Sequence, residues 1–147
     1  MTIFEQLQSD IKDAMRAKDK EKLTALRSLS AEIKQKALDS KEEITDAMVI
    51  DIVTKGIKTR QDSATQYQEA DREDLAVIER AEIEIYRIYQ PAQLSEDEVK
   101  TLVQKVIDEV GATSPKDMGK VMGKLMPQVK GKADGGVVNR IVKELLG

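Results

Sequence analysis

Residues 130–136 (KGKADGG) form the segment of this sequence most typical of a phosphate-contacting loop, because they combine two lysines with three glycines. A helix is predicted to follow, and the free N–H groups and positive dipole end at a helix start favour anions. The segment is not a P-loop, because no glycine stands five residues before Gly131 and Ala133 follows Lys132 where Ser or Thr is required. Asp134 is a candidate cap for the helix, and a capping carboxylate would compete with a phosphate. The structural alternative is an ordinary glycine-rich turn.

A row of lysines is predicted on one face of a helix over residues 114–126. At about 100° per residue, Lys116, Lys120 and Lys124 fall within one narrow sector. Gly119 and Gly123 fall beside them, next to an apolar face formed by Met118, Val121, Met122, Leu125 and Met126. Cations beside a strip without side chains would let a phosphate backbone approach closely. The alternative is a solvated lysine face, a methionine core stripe and glycines packed against another helix.

The charge distribution indicates where an anionic partner would bind. The chain carries 24 basic and 27 acidic side chains, a net charge of −3, which argues against general polyanion binding. Residues 1–90 hold 15 basic and 19 acidic side chains, whereas residues 113–147 hold 7 and 3, a net charge of +4. This basic segment has no aromatic residue on which single-stranded bases could stack. The pattern favours contacts to the backbone and shape of a folded RNA.

The absence of histidine and cysteine excludes many enzyme mechanisms. It removes Ser-His-Asp and Cys-His nucleophiles, zinc sites and disulfides. No nucleophile–base pair is evident, so we predict no catalytic residue, no cofactor and no metal site. The first residues have neither a basic nor an apolar signal region, and no run of 18 apolar residues occurs, so a cytoplasmic protein without a membrane span is expected. The charges Lys55, Lys58 and Arg60 are interpreted as an exposed helix face with local ion pairs, and the alternative is a partner-binding surface.

Helical patterns run through the first 45 residues. Thr2 and Glu5 fit a capping box, and apolar residues recur with helical period from Ile3 to Met15. A break is predicted near Lys18 and Asp19. The inward residues of the second helix are predicted to be Leu23, Leu26, Leu29, Ile33, Ala37 and Leu38. Residues 39–43 are predicted to form a loop, with Thr45 capping the next helix.

Residues 46–89 contain two further apolar stripes. The first is Val49, Ile52, Val53, Ile57 and Ala64, and the second is Leu75, Ile78, Ala81, Ile85 and Ile88. The acidic residues 69–74 separate the two stripes, with Asp71 as the predicted N-cap; both a tight turn and a bend in one helix fit the pattern. Tyr86 and Tyr89 are interpreted as packing residues with hydrated hydroxyl groups.

A boundary is predicted at residues 90–95, where Pro91 disfavours helix and Ser95 with Glu98 starts another. Gly111 is predicted to end that helix, Pro115 to open the next and Pro127 to limit it. The sequence thus predicts an all-α fold, with an N-terminal bundle of about four helices in residues 1–90. A three-helix tail domain is predicted in residues 91–147.

The chain resembles the YqeY family over nearly its whole length. The matching stretches are residues 58–63 (KTRQDS), 89–95 (YQPAQLS), 117–123 (DMGKVMG) and, most specifically, 126–135 (MPQVKGKADG). The family is similar to the C-terminal tail domain of the B subunit of glutamine-dependent aminoacyl-tRNA amidotransferase, where a Gly-Lys-Ala-Asn sequence and a Val-Asn pair correspond to residues 131–134 and to Val138 and Asn139. The resemblance implies a two-part helical fold and a tail that grips the outer corner of tRNA.

The resulting hypothesis is a non-catalytic accessory protein that binds tRNA or structured RNA. Its predicted RNA-contacting residues are Lys116, Gly119, Lys120, Gly123, Lys124, Lys130, Gly131, Lys132 and Asn139. One alternative is an interaction module for a synthetase or amidotransferase, acting through the acidic N-terminal bundle. The other, implied by the resemblance, is carbon–nitrogen ligase activity with glutamine as the amide donor.

Overall fold

The computed structural model describes all 147 residues, and it confirms the all-α fold. The elements are α1 (Ile3–Ala17), α2 (Lys20–Ser40), α3 (Asp46–Glu69), α4 (Glu73–Arg87), α5 (Glu96–Val110), a 3₁₀ turn (Pro115–Asp117), α6 (Met118–Val129) and α7 (Gly135–Leu146). No helix combines the length and the apolar character that crossing a membrane would require. Two compact units are present, an N-terminal unit of Met1–Gln90 and a C-terminal unit of Pro91–Gly147.

The N-terminal unit is built from α1–α4 around one apolar core. Gln8 of α1 donates to the buried Ser30 of α2 at 2.8 Å, which places these two helices side by side. The most extensive helix contact is between α3 and α4. The two helices approach closely at Gly56, where any side chain would meet the ring of Tyr86. The core side chains with the least exposure include Leu7, Leu26, Leu29, Ile33, Val49, Val53 and Tyr86.

The C-terminal unit has a separate apolar core shared by α5, α6 and α7. Each helix contributes aliphatic side chains at helical spacing, so these side chains lie on one face of the helix and meet in the core. The core contains Val99, Val103, Val106, Val121, Leu125, Val129, Val138, Ile141 and Val142. The half-buried Met118 and Met122 pack against this core, as the predicted apolar face of α6 requires.

The helix starts lie close to where the sequence predicts them. Both capping boxes are present, Thr2 with Glu5 and Ser95 with Glu98, and Thr45 accepts from the Met48 N–H. The ends of α1 and α2 carry no glycine signal, because each ends at a lysine in the left-handed region, Lys18 at φ 58° and Lys41 at φ 56°. As a result α2 extends to Ser40, and the predicted loop at residues 39–43 is two residues too early at its start.

A tight turn, not a bend, connects α3 to α4, and Asp71 is not the N-cap of α4. Asp71 has φ 58°, and the next N–H, that of Arg72, donates to the Tyr67 carbonyl at 2.7 Å. These features are typical of a left-handed closure at a helix C-terminus, which short polar side chains tolerate. Asp71 therefore follows Ala70, the C-cap of α3, and Arg72 occupies the N-cap position of α4 without a side-chain hydrogen bond.

The apolar stripe predicted for α4 is only partly confirmed, because Leu75 and Ile85 are half-buried but the helix turns a different side towards its core. The helix buries Ala76, Ile83 and Tyr86, while Ile78 is 54% exposed and Ile88 is 57% exposed. The prediction follows the largest aliphatic residues, whereas the buried side also carries charged groups. Leu38 is likewise predicted inward but is exposed. Its position near the end of α2 lies beyond the start of α1, given the pairing of the two helices at Gln8 and Ser30.

Pro127 does not end α6, contrary to the prediction, and the helix continues to Val129. A proline inside a helix removes the hydrogen bond to the carbonyl four residues earlier, here Gly123. Both residues are exposed, so water can solvate the carbonyl that is left without a partner. The cost of the interruption is therefore smaller than it would be in a buried helix.

Candidate nucleic-acid interface

The predicted lysine row lies on the 3₁₀ turn and α6, but its three members differ in their surroundings. Lys116 is in the turn, and Lys120 and Lys124 are in α6. Lys124 forms an ion pair with Glu109 of α5, with 2.7 Å between Nζ and Oε2. This hydrogen bond holds the pKa of Glu109 below its ordinary value. Lys116 and Lys120 are exposed and form no ion pair, so they are the two cations of the row that are free to meet a ligand.

The two glycines beside this row are open to solvent. A Cβ added at Gly119 or at Gly123 would meet no atom within 4 Å. The structure therefore rules out the alternative in which these glycines pack against another helix. The neighbouring Met126 is also exposed, so the apolar face of α6 reaches the surface at that end. Gly119 and Gly123 therefore leave the helix backbone uncovered beside the lysines, and we call these two residues the glycine strip.

The segment at residues 130–136 has a shape that is held by hydrogen bonds from residues 93 and 94. Gly131 is buried and has φ 76°, a conformation that favours glycine. Its carbonyl accepts from the side-chain amide of Gln93 at 2.8 Å, and the Lys132 carbonyl accepts from the Leu94 N–H at 2.8 Å. The side chains of Lys130 and Lys132 are exposed and form no ion pair. This basic loop is thus a braced turn that presents two free ammonium groups.

Gln93 is a structural residue that sequence reasoning missed. Its amide also donates to the Pro91 carbonyl at 2.8 Å, so one side chain connects two segments that are distant in the chain. The two stretches that carry the family resemblance, residues 89–95 and 126–135, therefore meet in the structure. Both stretches are evident in the sequence, but nothing in the sequence indicates that they are in contact.

The start of α7 carries the remaining predicted residues. Asp134 occupies the N-cap position, as predicted, but its side chain makes no capping hydrogen bond. The first residues of α7 are the exposed Gly135 and Gly136, which leave the backbone there accessible. Asn139 is half-buried one turn further on. Arg140 is held by Glu96 and Glu144 at 2.9 and 3.1 Å, so it is not a free cation.

The predicted exposed face at Lys55, Lys58 and Arg60 is only partly confirmed. Lys55 pairs with Asp51 at 3.0 Å, and Lys58 is exposed. Arg60, in contrast, faces α4, where its Nε donates to Glu82 at 2.8 Å. Its Nη2 donates to the Tyr86 hydroxyl at 2.9 Å, and its guanidinium lies 4.1 Å from the centre of the Tyr86 ring. Arg60 therefore contributes to the packing of α3 on α4.

The tyrosine hydroxyls are bonded to protein groups, not hydrated as predicted. Tyr86 is fully buried and accepts from Arg60, while Tyr89 is 4% exposed and donates to Asp10 at 2.6 Å. Burial raises the pKa of Tyr86. Burial, together with the Asp10 carboxylate, raises the pKa of Tyr89 far above its ordinary value. No group of three or more carboxylates anywhere in the chain is arranged to hold a metal ion.

Comparison with known proteins identifies the family. The YqeY family, described as Yqey-like protein, matches residues 4–146. A protein of Pyrenophora tritici-repentis is 30% identical over 148 residues, covering 99% of this chain and 81% of its own length. Relatives in Kluyveromyces lactis and Saccharomyces cerevisiae are 35% and 30% identical, covering 81% and 96% of this chain and 66% of their own length. All three are named Altered inheritance of mitochondria protein 41, mitochondrial. The chain thus spans about two thirds of the length of the two yeast relatives.

These names contradict the cytoplasmic location expected from the sequence, because each relative is named as a mitochondrial protein. The expectation rests on the absence of a secretory-type start and of a run of 18 apolar residues. Neither feature distinguishes the cytoplasm from the interior of an organelle. The family match, in contrast, agrees with the resemblance seen in the sequence and covers almost every residue. The chain belongs to the YqeY family.

Proposed function

We propose that this protein is an RNA-binding accessory protein whose C-terminal unit contacts the phosphate backbone of tRNA or another folded RNA. The observation that supports the proposal is the glycine strip, where exposed, unpaired lysines flank backbone that no side chain covers. Lys120 lies beside it in α6, and Lys116 lies in the preceding 3₁₀ turn. Lys130 and Lys132, on the basic loop, supply two further cations without an ion pair.

The chemistry of this surface fits phosphate better than bases. Lysine ammonium groups are compact point charges that contact phosphate oxygens without reading sequence. No aromatic side chain lies in the C-terminal unit, so base stacking would add nothing to binding. Recognition of this kind depends on the shape of a folded RNA and on salt. In this proposal Lys124 has a lesser role, because Glu109 already neutralises it.

The experiment is a titration of tRNA with wild type and with Lys130→Ala/Lys132→Ala at several salt concentrations. We expect wild-type binding to weaken steeply between about 50 and 200 mM salt, because phosphate contacts release counterions. The double substitution should reduce the slope of log affinity against log salt by about 2, because each substituted lysine would otherwise neutralise one phosphate.

The matched control is Lys100→Ala/Lys105→Ala, which removes the same charge from exposed positions of α5 in the same unit. It should leave the salt slope unchanged. Absence of tRNA binding by wild type at low salt would refute the proposal. Equal effects of the two double substitutions would show that only net charge matters, and they would refute the assignment to the basic loop.

A second candidate function is binding to a synthetase or amidotransferase through the N-terminal unit. The observation in its favour is the outer face of α4, where Val77, Ile78 and Ile88 are more than half exposed. Val77 and Ile78 are adjacent, and contiguous exposed apolar side chains are typical of protein-binding surfaces. Capture of such an enzyme from lysate should survive nuclease treatment and be abolished in Val77→Asp/Ile78→Asp. Loss of capture on nuclease treatment would instead indicate an RNA bridge.

A further inference from the structure

The cations of α2 form a second row, on the N-terminal unit. Lys20, Arg27, Lys34 and Lys41 stand at intervals of seven residues, from the first residue of the helix to its C-cap. Seven residues of α-helix advance about 10.5 Å and return to within about 20° of the same direction. The row therefore runs nearly straight along one side of α2 for about 31 Å. We call these four residues the α2 row.

All four side chains of the α2 row are available to a ligand. Each residue is exposed, and none forms an ion pair, although nine ion pairs occur elsewhere in the chain. The acids of α2 do not lie among them. Glu21, Glu32 and Asp39 fall on another side of the helix, more than about 60° away at 100° per residue. The field of the row is therefore not cancelled by its own helix.

The helix pairings explain this separation of charge. The α2 row borders the side that faces α1, since Ser30, which accepts from Gln8 of α1, lies next to Lys34 and Lys41 on the helical wheel. The acids of α2 lie on the opposite side of the row from Ser30, at about 100–120° from Lys20 on the wheel. The N-terminal unit is accordingly polarised: residues 1–41 hold 9 basic and 7 acidic side chains, and residues 42–90 hold 6 and 12.

We propose that the α2 row is a second binding surface for the backbone of a folded RNA. This inference rests on the proposed function and extends it to the N-terminal unit. A straight, rigid row of cations of about 31 Å matches a rigid polyanion, such as a double-helical RNA stem recognised by backbone and shape. A membrane-binding helix would instead carry apolar side chains along its length. Here Thr24 and Ala31 lie between the cations, and Leu38, at one end, is the only large exposed apolar residue of α2.

The experiment measures fluorescence anisotropy of a labelled RNA duplex of about 16 base pairs, a length typical of shape-specific recognition. Wild type is compared with Arg27→Gln/Lys34→Gln in the full chain. We expect the double substitution to weaken duplex binding about tenfold near 100 mM salt and to lower the salt slope by about 2. The matched control is Lys36→Gln/Lys58→Gln, which removes two exposed, unpaired cations from other faces of the same unit and should leave the slope unchanged. Circular dichroism checks that all variants retain their helices.

The outcomes separate this inference from the proposed function. If wild type binds no RNA, both fail. If Lys130→Ala/Lys132→Ala weakens binding but Arg27→Gln/Lys34→Gln behaves like its control, the α2 row is refuted and the proposed function stands. A parallel titration with phosphatidylserine–phosphatidylcholine vesicles tests the other anionic partner. Vesicle binding that depends on Arg27 and Lys34, with unchanged RNA binding, would overturn the assignment to RNA.

Discussion

Replacing Gly56 with alanine is expected to destabilise the N-terminal unit, although alanine is ordinarily the better helix former. Gly56 lies in α3 where this helix packs on α4. An added Cβ would stand 2.8 Å from Cε2 of Tyr86 and 3.3 Å from Nη1 of Arg60. The Tyr86 ring cannot yield freely, because it is fully buried and the Arg60 guanidinium lies against it.

The magnitude follows from two opposing effects. Overpacking a well-packed core costs about 1–3 kcal/mol, and the upper end applies because an aromatic ring must shift away from its partners. Replacing glycine by alanine inside a helix gains about 1 kcal/mol. We therefore expect the free energy of unfolding of the N-terminal unit to fall by about 2 kcal/mol.

The three tyrosines, residues 67, 86 and 89, all lie in the N-terminal unit, and the chain has no tryptophan. Tyrosine fluorescence during urea unfolding therefore reports on that unit alone. Circular dichroism reports on both units. Comparing the two probes avoids treating a chain with two compact units as a single two-state system.

Gly123→Ala is the matched control, because a Cβ there meets nothing within 4 Å. It should stabilise the C-terminal unit by about 1 kcal/mol. In a Tyr86→Leu background, Gly56→Ala should change sign and become stabilising, since the ring that causes the clash is gone. A stabilising effect of Gly56→Ala in the wild-type background would refute the packing explanation.

Three further predictions concern other contacts. The contribution of Tyr86 and Tyr89 to the stability of the N-terminal unit should be constant up to about pH 10 and fall above it, because the folded chain retains protons that the unfolded chain releases. Tyr89→Phe should reduce this fall in pH-dependent urea unfolding. An unchanged alkaline profile would contradict the burial of that hydroxyl. Lys18→Gly should stabilise the N-terminal unit by about 0.5–1 kcal/mol, because the φ of 58° at this position favours glycine. Lys18→Ala should give no such stabilisation when both variants are unfolded in urea and followed by tyrosine fluorescence. Gln93→Ala should destabilise the C-terminal unit by about 1 kcal/mol, because it removes the hydrogen bond to the Gly131 carbonyl. It should also speed hydrogen exchange in the basic loop near Gly131. Unchanged exchange would show that the 2.8 Å amide contact does not brace the loop.

Local signals in the sequence identify three of the helix starts. Thr2, Thr45 and Ser95 cap their helices as predicted, because each hydroxyl bonds to an N–H only three residues away. The ends of α1 and α2 are harder to predict. Lys18 and Lys41 adopt a conformation that glycine normally marks, so no residue type indicates it.

The face of α4 could not be predicted from its own residues, because its packing depends on α3. Arg60 neutralises Glu82 at the helix interface, and this allows a charged residue to share the buried side with Tyr86. A search for the largest aliphatic stripe therefore selects Ile78 and Ile88, which are exposed. The sequence pattern alone places Arg60 on the surface, because its partners Glu82 and Tyr86 lie on another helix.

The candidate site is predictable in composition but not in its state of pairing. The lysines and glycines of α6 and the basic loop are evident as types and spacings. The ion pair of Lys124 depends on Glu109, 15 residues earlier on another helix, and the brace at Gly131 depends on Gln93. Such contacts between distant parts of the chain leave no periodic trace in a single sequence.

The openness of the glycine strip also makes it a position for a chemical reporter. The chain contains no cysteine, so Gly123→Cys would create its only thiol. The new side chain would meet no neighbouring atom within 4 Å, and its helix should tolerate the change. A maleimide-linked fluorophore or a photoactivatable cross-linker at this position would mark the surface flanked by Lys120 without altering any of the seven cations in residues 113–147.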